Sequence, residues 1–207
     1  MRAGGILVAL DPGIDGTGVA IFKKLRGESQ LSPLVRAAGH LVELGLYKSD
    51  PAASIEARVC ELVDQLRDDV DRLGNNGGGV GVVIEIARYT GSFRQRAGAR
   101  ELGGDLAKLH RTVGGLVAAA HVVADELHFH EPDTLPKGLK AVYRDVKAMR
   151  RDQVRAALRS AGVGRANVPG WGRNVDLANG DKIDAAWLGF RHLTLGRYDL
   201  LPPSATR

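Results

Sequence analysis

The 207-residue sequence predicts an α/β domain in which five strands are interspersed with helices. Short, continuous apolar runs are typical of strands buried on both faces. Longer segments with apolar residues every three or four positions are typical of amphipathic helices. Glycine- and proline-containing turns separate the two kinds of segment. With 44% hydrophobic and 26% charged residues, the composition is that of a globular protein, which excludes a mainly disordered chain.

Several classes of protein are excluded by simpler observations. No run of about 18 apolar residues is present, so we expect no membrane span. The first residues do not lead into a signal-peptide cleavage site. The single cysteine, Cys60, excludes an internal disulfide and an all-cysteine metal site, and we expect it to pack beside a helical apolar stripe. The length predicts one domain over residues 1–195, with a flexible tail at 196–207.

The first three elements are predicted to be strands. Residues 6–10 are continuously apolar and end at Asp11-Pro12-Gly13, a strong turn sequence because proline presets its φ angle and glycine permits a positive one. Residues 18–22 form a second apolar run, close enough to pair with the first as a hairpin. A weaker third strand is predicted over 39–46.

The next elements are a helix and a buried strand. Asp50 is predicted as the N-cap and Pro51 as the first helical residue, since these types favour those positions. Apolar residues between 55 and 73 then follow the helical period. Residues 80–86 are predicted as a fourth strand, which is mostly apolar but carries one carboxylate, Glu85.

A long helix is predicted over 97–123, followed by a fifth strand over 127–131 and a helix over 151–160. The long helix contains glycine pairs at 103–104 and 114–115, which are three turns apart and share a face. That face can admit another backbone closely. The partner could be the sheet or a second subunit, and the spacing does not distinguish the two.

Four carboxylates stand out because of the elements that carry them: Asp11, Glu85, Asp181 and Asp184. The two aspartates near the start of the last helix share one face. If the first and fourth strands are neighbours, Asp11 and Glu85 lie side by side. Four converging carboxylates repel one another unless cations lie between them, and such oxygen ligands suit Mg²⁺ or Mn²⁺. The alternatives are a simple turn, a surface residue at a strand end, and helix-capping charges.

The positive charge is unevenly distributed. The net charge is +5, but residues 50–73 carry 3 positive and 7 negative side chains, whereas 88–111 carry 6 and 2. Residues 137–173 carry 10 and 2. Clustered lysine and arginine favour a polyanionic partner, because neutralised phosphates release counterions. The alternative is a solvated surface that happens to be basic.

Three short motifs resemble the RuvC family of Holliday junction resolvases, which have a ribonuclease H-like fold. They are Leu10-Asp11-Pro12-Gly13, Ile84-Glu85 and Asp181-Lys182-Ile183-Asp184-Ala185-Ala186. The resemblance spans about residues 5–195, although only these islands are specific to the family. It implies a five-stranded mixed sheet flanked by helices, in the order β-β-β-α-β-α-β-α.

The resemblance also implies an activity. RuvC-like enzymes are homodimers that bind four-way DNA junctions and nick two strands symmetrically, leaving 5′-phosphate and 3′-hydroxyl ends. They require divalent metal, here two Mg²⁺ ions per site with Mn²⁺ as a substitute, held by Asp11, Glu85, Asp181 and Asp184. The expected setting is the bacterial cytoplasm, at the nucleoid, whether the gene is cellular or carried by a phage. No branch-migration motor and no membrane partner is evident.

Basic and aromatic residues are further expectations from the resemblance. The scissile phosphate would be contacted by Arg151 and by Lys137 or Lys140, with Lys147 as a rival and Arg150 as a further DNA contact. Bases would stack on Tyr89 and Phe93, and the nearby arginines would contact phosphates: Arg88, Arg94, Arg96 and Arg100. The alternatives are a solvated basic loop and hydrophobic anchoring. His128 and His130 alternate onto one strand face, where they could bind a metal, and Trp187 is expected to pack.

Three other functions fit parts of the same sequence. A related nuclease could cut RNA in hybrids, or flaps, with the same metal site. A catalytically inactive nucleic-acid-binding module is opposed by the full set of four carboxylates. Residues 11–18 faintly resemble the phosphate loop of sugar or acetate kinases, but those proteins need two such domains. The chain has no Walker A sequence.

Overall fold

A computed structural model of the chain describes residues 5–23, 40–75, 79–86, 105–131, 146–162, 177 and 179–194. The elements in this part are β1 (Ile6–Pro12), β2 (Gly16–Lys23), β3 (Leu41–Lys48), α1 (Ile55–Gly74), β4 (Val80–Glu85), α2 (Asp105–Val123), β5 (Glu126–His130), α3 (Val146–Ser160) and α4 (Gly180–Leu193). Across these ranges, no helix combines the length and the apolar character that a membrane span requires.

The five strands form one mixed sheet in the order β3-β2-β1-β4-β5. Antiparallel pairing joins β1 to β2 and β2 to β3, whereas β4 is parallel to β1 and β5 is parallel to β4. The central strand β1 is almost completely buried over Ile6–Leu10, as its continuous apolar run predicts. The predicted strands, including the hairpin of the first two, are confirmed.

Helices cover both faces of the sheet. Leu7 and Ala9 of β1 belong to a buried cluster with residues of α3 and α4, whereas Val8 and Leu10 pack with α1 and α2. Successive side chains of a strand point to opposite faces, so this alternation defines an α1/α2 face and an α3/α4 face. The fold therefore has three layers, with the sheet in the middle.

Helix α4 lies directly along β2. A Cβ atom on Gly18 would overlap the backbone oxygen of Asp181, and one on Gly189 would overlap the ring of Phe22. The two glycines therefore allow a close approach that no other residue would permit. Phe22 and Phe190 meet edge to face, with ring centroids 5.7 Å apart. The start of α4 is consequently fixed at the turn end of the β1–β2 hairpin, where Gly18 pairs with Asp11.

The predicted start of the first helix is wrong. Asp50 accepts a hydrogen bond from the backbone N–H of Ala52 and closes a turn, and the helix begins later, at Ile55. Ser54 is the N-cap and accepts from the N–H of Ala57 at 3.2 Å. The expectation for Cys60 is also wrong, because this residue is exposed. It lies two positions from the buried residues on either side of it, on the outer surface of α1.

One helix starts before its predicted position, and the predicted start of another is not tested by the described residues. Helix α3 begins at Val146 rather than at residue 151, so Lys147 and Arg150 lie on a helix and not in a connection. Helix α2 is described from Asp105, and the predicted start at residue 97 lies outside the described residues. The tail at 196–207 also lies outside them, and the single-domain assignment stays a prediction.

The glycine pair at 114–115 in α2 packs against a neighbour other than the two that the sequence analysis considered. A Cβ atom on Gly115 would overlap the side chain of Val59 on α1, whereas one on Gly114 would meet nothing within 4 Å. The close contact in this part of the chain is therefore with α1 rather than with the sheet. The pair at 103–104 lies outside the described residues.

These adjacent glycines give a matched test of the packing. We expect Gly114→Ala to raise the free energy of unfolding by about 1 kcal/mol, because alanine is the better helix former. We expect Gly115→Ala to lower it, because overpacking costs about 1–3 kcal/mol. Urea unfolding of the two variants measures both. Equal changes in the free energy of unfolding of the two variants would contradict the close contact between α1 and α2.

Candidate active site

Two of the four singled-out carboxylates come from neighbouring parallel strands. Leu10 of β1 pairs with Ile84 of β4, so the next residues, Asp11 and Glu85, lie side by side at the carboxyl ends of their strands. Leu7, Ala9 and Val83 face α3 and α4, and strand alternation therefore places Asp11 and Glu85 on the same face. The predicted adjacency of the first and fourth strands is confirmed.

The first turn of α4 brings the other two carboxylates to this edge. Asn179 is the N-cap, and its side chain accepts from the N–H groups of Asp181 and Lys182 at 3.0 and 3.2 Å. The backbone oxygen of Asp181 abuts Gly18, and Gly18 pairs with Asp11 across the β1–β2 hairpin. Asp181 therefore lies one strand away from Asp11.

An arginine lies among these carboxylates. The guanidinium of Arg151, on α3, donates from Nε to Asp184 Oδ1 at 3.0 Å and from Nη2 to Oδ2 at 2.7 Å. This hydrogen-bonded pair raises the pKa of Arg151, although its partial burial opposes the shift. The negative charges of Asp184, Asp181 and Asp11 raise the pKa further. Arg151 is thus close enough to interact with three of the four carboxylates.

The chemistry of these side chains suits a hard divalent cation. Asp11, Glu85, Asp181 and Asp184 offer only carboxylate oxygens, which are the ligands that Mg²⁺ and Mn²⁺ prefer. Within the described ranges, however, no group of three or more histidine, cysteine or acidic side chains is arranged to hold a metal ion. Both oxygens of Asp184 are engaged by Arg151. The residue types fit a hard divalent cation, but the side chains would have to reorient to coordinate one.

Arg58 is a positioning residue that we did not single out from the sequence. It is buried, and its guanidinium donates to the backbone oxygen of Ile14, to Asp15 Oδ1 at 3.2 Å and to Ser49 Oγ at 3.2 Å. These contacts tie α1 to the turn that directly follows the strand of Asp11. The signal in the sequence is a charged residue on the apolar stripe, four positions before the buried Leu62.

Three histidines form a second polar cluster beside the carboxylates. His128 and His130 share a face of β5, as predicted, and both pack against His192 of α4, which the sequence pattern did not link to them. His130 Nε2 and His192 Nδ1 are 3.2 Å apart, and His130 pairs with Glu85 in the sheet. Burial, and then the neighbouring His128 and His130, lower the pKa of His192 to about 4. The His192 imidazole is therefore neutral at neutral pH.

Most of the predicted DNA contacts lie outside the described residues: Arg88, Tyr89, Phe93, Arg94, Arg96, Arg100, Lys137 and Lys140. Lys147 lies on α3. Arg150 is only 7% exposed, and its guanidinium carbon is 5.7 Å from the ring centroid of Trp187, which is buried as predicted. This burial favours packing over DNA contact for Arg150.

The lowered pKa of His192 leads to a pH prediction. In the unfolded chain the His192 imidazole binds a proton near pH 6.5. In the folded chain it binds that proton only near pH 4. Stability from this group is therefore complete above pH 6.5 and is lost as the pH falls toward 4. We expect the fall in Tm between pH 7 and 5 to be smaller in His192→Gln than in the natural protein. The exposed His121→Gln is the control, and a fall in His192→Gln as large as in the control would contradict the assignment.

No protein-family model matches this chain, and neither does any curated protein sequence. Among solved structures, it is similar to T. thermophilus RuvC in complex with Holliday junction substrate, with a TM-score of 0.54 and 16% identity, covering 93% of this chain and 95% of that one. It is also similar to a Thermus thermophilus RuvC structure, with a TM-score of 0.52 and 18% identity, covering 92% and 97%. The chain therefore has the fold of RuvC, the ribonuclease H-like fold that its motifs implied.

Proposed function

We propose that this chain is a structure-selective DNA endonuclease that resolves four-way junctions by paired, symmetric nicks. The observation that carries the proposal is the placement of the carboxylates. Asp11 and Glu85 end neighbouring strands on the face that α4 covers, and α4 begins there with Asp181 and Asp184. The fold supports the proposal, because a RuvC of the same fold was solved with a Holliday junction substrate.

Each part of the site has a distinct role in this proposal. The four carboxylates hold two Mg²⁺ ions, for which Mn²⁺ can substitute. Bound there, the ions would supply a nucleophilic water and charge stabilisation for an in-line displacement that leaves 5′-phosphate and 3′-hydroxyl ends. Asn179 orients Asp181 by capping the helix that carries it. Arg58 holds the turn after Asp11 in place.

DNA contacts come from the basic and aromatic residues. Arg151 is close enough to the carboxylates to contact a phosphate held there, and Lys137 is the second candidate for the scissile phosphate. Further phosphate contacts are assigned to Lys140, Lys147, Arg88, Arg94, Arg96 and Arg100. Tyr89 and Phe93 are assigned to stacking on junction bases.

A homodimer completes the proposal. Two copies related by a two-fold axis would present two sites to the two equivalent strands of a junction, which accounts for paired nicks. We place the enzyme at the nucleoid in bacterial cytoplasm, whether the gene is cellular or carried by a phage. No motor partner is assigned.

The deciding experiment compares substrates. The protein is incubated with a synthetic four-way junction, a flap, a plain duplex and an RNA–DNA hybrid, with and without Mg²⁺. We expect two symmetric nicks in the junction, only with the metal, and little cutting of duplex. Preferred cutting of the hybrid or flap would instead identify another nuclease of the same fold. Binding without any cutting would identify an inactive nucleic-acid-binding module.

The site assignment has its own test. We expect Asp11→Asn to slow junction cleavage by about 100-fold or more, because a lost ligand removes several kcal/mol of transition-state stabilisation. Junction binding, measured by gel shift in EDTA, should be retained or tightened, since one charge that repels phosphates is gone. Asp68→Asn, on the exposed face of α1, is the matched control. Normal cleavage by Asp11→Asn would exclude this carboxylate from the site.

A further inference from the structure

We propose that Arg151 is an internal cation that competes with the divalent ion for Asp184 and thereby sets the affinity of the site for that ion. The proposal rests on the proposed function and adds a residue that regulates the same site. In the metal-free protein the guanidinium neutralises Asp184. When an ion coordinates Asp184, the guanidinium is displaced and becomes available to a phosphate.

The geometry of the ion pair is the first argument. Two parallel hydrogen bonds, of 3.0 and 2.7 Å, join the guanidinium to both oxygens of one carboxylate. The side chain of Arg151 is 27% exposed and that of Asp184 is 13% exposed. Bidentate, charge-assisted pairs are stronger than single hydrogen bonds, and partial burial reduces screening by salt. The bond that an incoming ion must break is therefore a substantial one.

The place of the guanidinium is the second argument. It lies against Gly180, the first residue of α4, where a Cβ atom would overlap it. The N-terminus of a helix carries partial positive charge and disfavours a cation. Arg151 is nevertheless held there, because Asp184, Asp181 and Asp11 all interact favourably with it. The guanidinium thus occupies the region where negative charge is concentrated, which is also where a divalent ion would bind.

Competition follows from these two arguments. Inner-sphere coordination by Asp184 uses the same oxygen atoms that accept from Arg151. A guanidinium released from a carboxylate can bind a phosphate with the same two-pronged geometry. Arg151 would then couple ion binding to phosphate contact. If the pair only joined α3 to α4, breaking it would leave the ion affinity unchanged or lower it.

The test is a calorimetric titration of the full chain with Mn²⁺, without DNA. We expect Arg151→Gln to bind Mn²⁺ roughly tenfold more tightly than the natural protein. Arg151→Lys keeps the charge but loses the two-pronged geometry, so its affinity should lie between the two. Arg159→Gln, an exposed arginine on the same helix, should bind like the natural protein. Circular dichroism checks folding, and if Arg151→Gln does not fold, Arg151→Lys decides.

The possible results separate this proposal from the proposed function. Equal or weaker Mn²⁺ binding by both Arg151 variants would overturn the competition while leaving the metal site intact. Equal tightening by Arg159→Gln would attribute the effect to net charge and would also overturn it. Binding by Arg151→Lys that matches the natural protein would exclude the role of the two-pronged contact. If neither the natural protein nor any variant binds Mn²⁺, the proposed function fails as well.

Discussion

The contact between α4 and β2 is the constraint on which the candidate site depends. Gly18 and Gly189 leave no side chain between helix and strand, so the helix backbone rests on the sheet. The axis of α4 is thereby aligned with β2, and its N-terminus is held at the edge where β1 and β4 end. A larger residue at Gly18 would displace that N-terminus, and with it Asp181 and Asp184. Backbone packing, rather than any single polar interaction, places the start of α4 and Asp181 next to the strand end that carries Asp11.

Neighbouring carboxylates repel one another, and the surrounding elements partly offset this repulsion. The N-terminus of α4 carries partial positive charge beside Asp181, and α3 supplies Arg151 to Asp184. On the α1/α2 face of the sheet, Arg58 draws the turn after Asp11 against α1. The acidic edge is therefore bordered by a helix N-terminus and by two arginines, Arg151 and Arg58. Functional sites often contain charge arrangements that are unfavourable for folding, and interactions elsewhere in the fold offset that cost.

The sequence pattern predicted the features that are determined by residues close together in the chain. The strand of Asp11 and the fourth strand were clear, since continuous apolar runs act locally. The start of α1 was missed because both Asp50 and Ser54 are good N-cap residues, and only the packed helix decides between them. The contacts of Arg151 with Asp184, of His192 with the β5 histidines and of α4 with Gly18 join distant segments. No local pattern specifies them, because tertiary packing determines them.

The order of the elements along the chain has a consequence for synthesis. A ribosome releases β1 and β4 well before α4, so a growing chain carries the strand carboxylates without those of the helix. Until α4 docks, the apolar face of the sheet around Leu7, Ala9 and Val83 lacks its cover and is open to unwanted association. The same delay means that a partly synthesised chain cannot assemble the four-carboxylate edge. Completion of the candidate site is thus tied to the step that shields this face of the sheet.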